Sequence, residues 1–210
     1  VAHLRGHVHH AQPAVVSITQ STELGTVYSP AEVRAICETA HELEMLVHMD
    51  GARLSNASAV YGATPEALRS FTIDAGVDVL SFGAMKAGIM FGEAVVFLKP
   101  KLGDRAEYIR KQITQLNSKM RFIAAQYEAM LKNDLFITLG GQANKAARLL
   151  FEMHGVQHQK QGRDKGDRVD GPEFVFQRDI AKPGTHRRFF SDSGNSIGKV
   201  PLLCRYRKNT

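Results

Sequence analysis

Short apolar segments alternate with amphipathic ones along the first half of the chain. Most of the apolar segments are followed by Gly, Pro or Asp and are too short to be helices, so we predict that they form strands. The predicted strands cover residues 14–19, 45–49, 77–82 and 93–98, and the second is expected to be fully buried. Two helices are predicted between them, one opened by the capping-box sequence Ser29-Pro30-Ala31-Glu32 and one after Thr64-Pro65.

The order strand, helix, strand, helix, strand, strand predicts the α/β class, a mostly parallel sheet with flanking helices on both faces. Ligands bind such a sheet beyond the carboxyl ends of its strands. Three further helices are predicted at residues 106–116, 122–131 and 143–153. Gly140-Gly141 is predicted to break the helical region before the last of them.

Charge divides the chain into two parts near Gly155. Residues 1–155 carry 15 basic and 15 acidic residues, whereas residues 156–210 carry 12 basic and 6 acidic residues and account for the whole net charge of +6. The second part also has too few apolar residues to support a core of its own. We therefore predict one folded domain over residues 1–155 and a divergent basic tail over residues 156–210 that is disordered or only partly ordered, with short strands at 174–176 and 200–203.

The composition narrows the class of protein and its location. No apolar run approaches the roughly 18 residues that span a bilayer, and two cysteines cannot build a disulfide framework. We therefore expect a soluble cytoplasmic protein with no membrane partner, in which Cys37 is a small buried hydrophobe. The chain begins with Val1 and reaches a predicted strand soon afterwards, so we expect the true N-terminus to lie upstream and treat the chain as a fragment.

Two charged positions stand out beside the predicted strands. Asp50 ends the second strand, with Arg53 three residues later, and Lys86 is the only charged residue between Asp78 and Glu93. Each has an ordinary explanation: a strand-ending turn with a solvated arginine, and a lysine whose ammonium group reaches water. Together, however, a carboxylate and an amine at neighbouring strand ends suit pyridoxal 5′-phosphate. The amine binds its aldehyde carbon, and the carboxylate keeps its ring nitrogen protonated.

Four blocks of sequence, in order, resemble the low-specificity L-threonine aldolase and β-eliminating lyase family. The resemblance runs from about His9 to Gly155. Its blocks are VSITQSTELGTVY at 16–28, HMDGARLSNA at 48–57, VDVLSFG at 77–83 and GEAVVF at 92–97.

This resemblance implies a fold, a cofactor and a reaction. Residues 1–155 are then a partial pyridoxal-phosphate-binding large domain of the aspartate-aminotransferase type, fold type I. Lys86 is the lysine that binds the cofactor, Asp50 faces the pyridine nitrogen, and Arg53 lies by the cofactor and the substrate carboxylate. The implied enzyme is an aldehyde-lyase that cleaves L-threonine or allo-threonine to glycine and an aldehyde. Relatives form homo-oligomers, and their phosphate-binding loop and ring-stacking histidine lie upstream of this sequence.

Several alternatives are open at this point. The chain can be a β-eliminating amino-acid lyase on the same cofactor, or a catalytically incomplete fragment of the fold. The basic tail can bind phosphates electrostatically, but no recognised nucleic-acid module is present, so nucleic acid is not an expected partner. The histidines at positions 3, 7, 9 and 10 can bind a divalent metal, although an exposed segment is favoured and no metal site is expected.

Overall fold

The structure is a computed structural model that describes residues 5–163 and 202–203. Its core is a five-stranded sheet with the strand order β1-β2-β3-β4-β5. The strands are β1 (Val15–Thr19), β2 (Leu46–Asp50), β3 (Val79–Gly83), β4 (Glu93–Phe97) and β5 (Leu202–Leu203). β1, β2 and β3 are parallel, β4 is antiparallel to β3, and β5 is parallel to β4. The predicted α/β class with a mostly parallel sheet is confirmed.

Six helices accompany the sheet in the described residues. They are α1 (Pro30–Glu42), α2 (Leu54–Val60), α3 (Pro65–Ser70), α4 (Ala106–Gln112), α5 (Arg121–Leu131) and α6 (Leu135–Arg163). None of the helices in this part of the chain is long and apolar enough to cross a membrane.

The first helix forms as its sequence predicts. The Ser29 hydroxyl accepts a hydrogen bond from the Glu32 amide at 3.2 Å, and the Glu32 carboxylate accepts one from the Ser29 amide at 2.8 Å. This reciprocal capping box satisfies backbone donors at the start of α1. Cys37 lies on the buried face of α1, as expected, and burial and the negative charge of Asp78 raise the pKa of its thiol to about 11.

Burial alternates along the strands, so the two faces of the sheet differ. Val47 and Met49 are fully buried, whereas Leu46, His48 and Asp50, which alternate with them, are partly exposed. The same alternation continues in β3. The prediction that the second strand is fully buried is therefore wrong for the described residues. The reason is that the second strand is apolar mainly on one face, while the other face carries the polar side chains of His48 and Asp50.

Asp78, which immediately precedes β3, connects this end of the strand to α1, β2 and the segment after β4. Its buried carboxylate accepts hydrogen bonds from the Val47 amide at 2.7 Å and from Lys99 at 3.3 Å, and lies 2.8 Å from His41 Nε2. Burial alone raises the pKa of Asp78, but these hydrogen bonds outweigh it and leave the pKa below its ordinary value.

The helical region departs from the predictions at α2 and α6. Helix α2 is not among the predicted elements, and the break predicted at Gly140-Gly141 is wrong because α6 runs through both glycines. A methyl group added at Gly140 would overlap the carbonyl group of Ser55 in α2. Glycine is therefore required here for close packing of two helices, and the contact outweighs its poor helix propensity.

The predicted boundary at Gly155 lies inside α6, which continues to Arg163. The division into residues 1–155 and a basic tail over 156–210 stays a prediction. Leu202–Leu203 forms a strand within the segment predicted at 200–203, whereas the predicted strand at 174–176 lies outside the described residues.

Candidate active site

The carboxyl ends of β1, β2 and β3 lie at one edge of the sheet. The register pairs Thr19 with Asp50 and Asp50 with Ser81, so the last residue of β2 is flanked by both neighbouring strands. Lys86 follows β3 by three residues. The fold therefore brings the segments that carry Asp50 and Lys86 to the same edge, on adjacent parallel strands.

Two glycines allow the turn after β2 to lie directly on the end of β3. The Gly51 amide donates to the Ser81 carbonyl at 2.9 Å, and a methyl group added at Gly51 would lie 2.9 Å from the same oxygen. A methyl group added at Gly83 would lie 2.7 Å from Cα of Ala52. Glycine is therefore needed at both positions for the turn after β2 to pack this closely against β3. This packing places the turn next to the start of the segment that carries Lys86.

The Asp50 carboxylate is held by its own turn. Its Oδ1 accepts a hydrogen bond from the Ala52 amide at 2.9 Å, and its backbone carbonyl accepts one from the Gln20 amide at 2.9 Å. Asp50 is half-exposed and makes no ion pair with any residue that the structure describes. One carboxylate oxygen is thus oriented by the backbone of the turn.

Lys86 lies in a short 3₁₀ turn, Met85–Ala87, at the start of a segment that returns to β4. We call residues 84–92 the lysine loop. Ala84 and Ala87 are buried, but Lys86 itself is exposed and makes no hydrogen bond or ion pair with the described part of the chain. Its amine is accessible to a reacting aldehyde.

Arg53 is paired with an acidic residue from the neighbouring loop. Its Nη1 lies 3.0 Å from Oε1 of Glu23, which follows β1. The loop is shaped by the buried side chain of Gln20, which bonds both the amide and the carbonyl of Tyr28. Arg53 therefore lies at the predicted edge, but a substrate carboxylate would have to share it with Glu23 or displace Glu23.

A row of polar side chains on the partly exposed face was not predicted from the sequence. Ser17 Oγ lies 2.8 Å from Nδ1 of His48, and Nε2 of the same ring lies 2.9 Å from Ser81 Oγ. Burial lowers the pKa of His48, and the Asp50 carboxylate opposes part of that shift. The His48 ring thus links three strands, one strand repeat away from Asp50. Serine and histidine inside apolar runs were the available signal, but only the register brings them together.

Glu93 is a second acidic group at this edge that sequence reasoning did not single out. It is the first residue of β4 and pairs with Gly83. Its Oε2 would lie 3.2 Å from a methyl group added at Gly83. Since Ser81 and Gly83 share a face with Asp50 by strand alternation, Glu93 projects to that face as well. The β3 strand therefore has a carboxylate on each side.

The histidines near the N-terminus do not form a metal site in the described residues. The rings of His7 and His10 lie 4.8 Å apart, and those of His7 and His9 lie 5.7 Å apart. All three side chains are exposed, and no group of three or more ligands suited to a metal occurs in this part of the chain. His3 lies outside the described residues.

The amine and the carboxylate suit a pyridine aldehyde cofactor. An exposed primary amine can form the covalent link, and a carboxylate can face a protonated ring nitrogen. The turn between them is built on Gly51 and Gly83, so no side chain from either glycine fills the space above it. Lys86 and Asp50 are therefore the residues that would hold such a group.

Comparison with known proteins shows the family and the fold to which the chain is similar. Residues 1–168 match the family model described as beta-eliminating lyase. Low specificity L-threonine aldolases from Pseudomonas aeruginosa and from a Pseudomonas species are each 46% identical to the chain over 153 residues, which is 73% of this chain and 43% of each relative. The chain thus spans less than half the length of these relatives.

A solved structure of a threonine aldolase from Leishmania major has the same fold. It aligns with a TM-score of 0.64 and 33% sequence identity, covering 72% of this chain and 43% of that chain. The match confirms the fold that the sequence resemblance implies.

Proposed function

The chain belongs to the beta-eliminating lyase family, and from that premise we propose that it is part of a pyridoxal-phosphate-dependent aldehyde-lyase. The proposed substrates are β-hydroxy-α-amino acids such as L-threonine and allo-threonine, and the proposed products are glycine and an aldehyde. The observation that carries the proposal is the arrangement of Asp50 and Lys86 at the ends of adjacent parallel strands. The identity to two low specificity L-threonine aldolases supports the choice of reaction.

Each residue has a defined task in this proposal. Lys86 Nζ would hold the cofactor through its aldehyde, and Asp50 would keep a proton on the ring nitrogen. The chemistry that the bound cofactor would supply is an acceptor for the electrons of the bond that breaks. Arg53 orients the substrate by its carboxylate, for which the guanidinium group offers paired donors. Its ion pair with Glu23 keeps it at the site until an anion competes for it.

The test is addition of pyridoxal phosphate to the 210-residue chain. We expect a visible absorbance band that is lost in Lys86→Ala and retained in Lys101→Ala, since Lys101 is an exposed lysine outside the site. If no band forms, or if Lys86→Ala keeps it, the proposed cofactor site is wrong.

The same preparation separates the two lyase reactions. Cleavage of threonine gives glycine and acetaldehyde, whereas β-elimination gives a keto acid and ammonia. The family description favours elimination as the second candidate. A band without either set of products would indicate that the residues present bind the cofactor but do not complete the catalytic site.

Two further proposals concern the setting of the protein. A cytoplasmic location is supported by the low cysteine content. Assembly into a homo-oligomer is supported by large apolar side chains that are exposed on α4, α5 and α6, among them Tyr108, Phe122 and Leu150.

A further inference from the structure

The position of Lys86 depends on how the lysine loop is anchored. The loop leaves the sheet after β3 and returns at β4, and it contains Gly88 and Gly92 in the left-handed region, with φ of +123° and +126°. The Lys86 side chain makes no polar contact with the described residues, so the loop backbone sets only the point from which this flexible side chain extends. The groups that hold the ends of this loop therefore determine which region the amine can reach.

One hydroxyl group contacts both ends of the loop. The single proton of Tyr127 Oη is shared between two carbonyl oxygens, that of Phe82 at 3.2 Å and that of Gly92 at 3.4 Å. Phe82 is the second-last residue of β3, and Gly92 immediately precedes β4. The ring of Tyr127 also packs 6.1 Å from that of Phe82. Hydroxyl and ring together fix this side chain between the two strands.

The rest of the same helix face supports the loop between its ends. Gln126 Oε1 accepts a hydrogen bond from the Met90 amide at 2.9 Å, and Gln126 Nε2 donates to the carbonyl of Phe122 at 3.1 Å. A methyl group added at Gly92 would lie 2.6 Å from Ile123. Contacts at positions 123, 126 and 127 recur with helical spacing, so one face of α5 lies against the loop.

We propose that Tyr127 is a positioning residue for Lys86: the Tyr127 hydroxyl joins the two ends of the lysine loop and so holds the Lys86 backbone at the sheet edge where β2 ends in Asp50. The chemical meaning of this role rests on the proposed function. The ring alone fills the core, but only the hydroxyl bonds to both carbonyls. Tyr127→Phe removes those hydrogen bonds and leaves the packing against Phe82 in place.

The first test is amide hydrogen exchange of the 210-residue chain without any cofactor. In Tyr127→Phe we expect the amides of residues 84–92 to exchange about fivefold faster, the effect of one lost hydrogen bond. Peptides from β1 and β2 should exchange as in the original chain. Tyr108→Phe is the matched control, because Tyr108 is 63% exposed on α4, and it should change nothing in the loop. Unchanged exchange in the loop, or an equal increase throughout the chain, would overturn the proposal.

The variant Gln126→Ala and the rate of cofactor binding test the same loop independently. Gln126→Ala removes the bond to Met90 and should accelerate exchange in the same peptides, even if Tyr127→Phe does not fold. With pyridoxal phosphate, Tyr127→Phe should form the absorbance band about fivefold more slowly than Tyr108→Phe. Equal rates would overturn the role of Tyr127. Absence of the band from the original chain would instead refute the proposed function, and the exchange experiment would still decide whether the loop is anchored.

Discussion

At the scale of single residues, the surroundings of His48 favour the neutral form of its ring over the charged form. Its two nitrogens are committed to Ser17 and Ser81, at 2.8 and 2.9 Å, and burial lowers its pKa. A neutral imidazole can accept at one nitrogen and donate at the other, whereas the charged ring can only donate. The two hydroxyl groups accommodate the neutral form without a buried charge.

This environment predicts a pH-dependent loss of stability. The pKa of His48 is lower in the folded chain than in the unfolded chain, so the unfolded chain binds more protons as the pH falls below about 6.5. We expect the free energy of unfolding to fall between pH 7.5 and pH 5.5, and to fall less in His48→Gln, which cannot titrate. Urea unfolding at about those two pH values measures the difference. An identical pH dependence in both proteins would refute it.

Residue signals in the sequence were sufficient for some members of the site and not for others. Asp50 and Lys86 could be placed at the carboxyl edge because each follows a short apolar segment of a parallel sheet. The pairing of Arg53 with Glu23 could not, since it depends on the path of the loop after β1. Glu93 could not be predicted for a related reason: its place at this edge depends on its pairing with Gly83 on the neighbouring strand.

At the scale of elements, the contact between α2 and α6 shows how tertiary packing overrides local propensity. The pair Gly140-Gly141 has the composition of a helix break, yet α6 passes through it. Asn56 and Asn144 add hydrogen bonds between the two helices at 3.0 Å. The sequence could not predict this contact because α2 is short and lacks a side-chain cap at Arg53.

The two adjacent glycines in α6 allow a matched test of the contact. An added methyl group at Gly140 overlaps the Ser55 carbonyl, whereas one at Gly141 lies 3.9 Å from the Ala59 side chain. We expect Gly140→Ala to lower the free energy of unfolding by about 1–3 kcal/mol. Gly141→Ala should leave it unchanged or raise it by up to about 1 kcal/mol through better helix propensity. Chemical denaturation of both variants provides the measurement, and equal effects would contradict the assigned packing.

At the scale of the whole molecule, the alternation of strands and helices was enough to predict the α/β class. The parallel order of β1, β2 and β3 follows from helical crossovers, which sequence periodicity reveals. What periodicity did not reveal was the half-exposed sheet face that carries His48 and Asp50. When a short apolar segment contains only two polar residues, the sequence alone does not indicate which face of the strand is exposed.

The whole-molecule account depends on one covalent bond, between pyridoxal phosphate and Lys86. The 210-residue chain can be incubated with the cofactor, reduced with borohydride, digested, and analysed by mass spectrometry to locate the modified lysine. We expect the modification to be concentrated on Lys86, with exposed lysines such as Lys101 modified far less, and we expect Asp50→Asn to lower the Lys86 fraction. Modification spread evenly over the exposed lysines, with Lys86 no higher than Lys101, would contradict the assignment of the site.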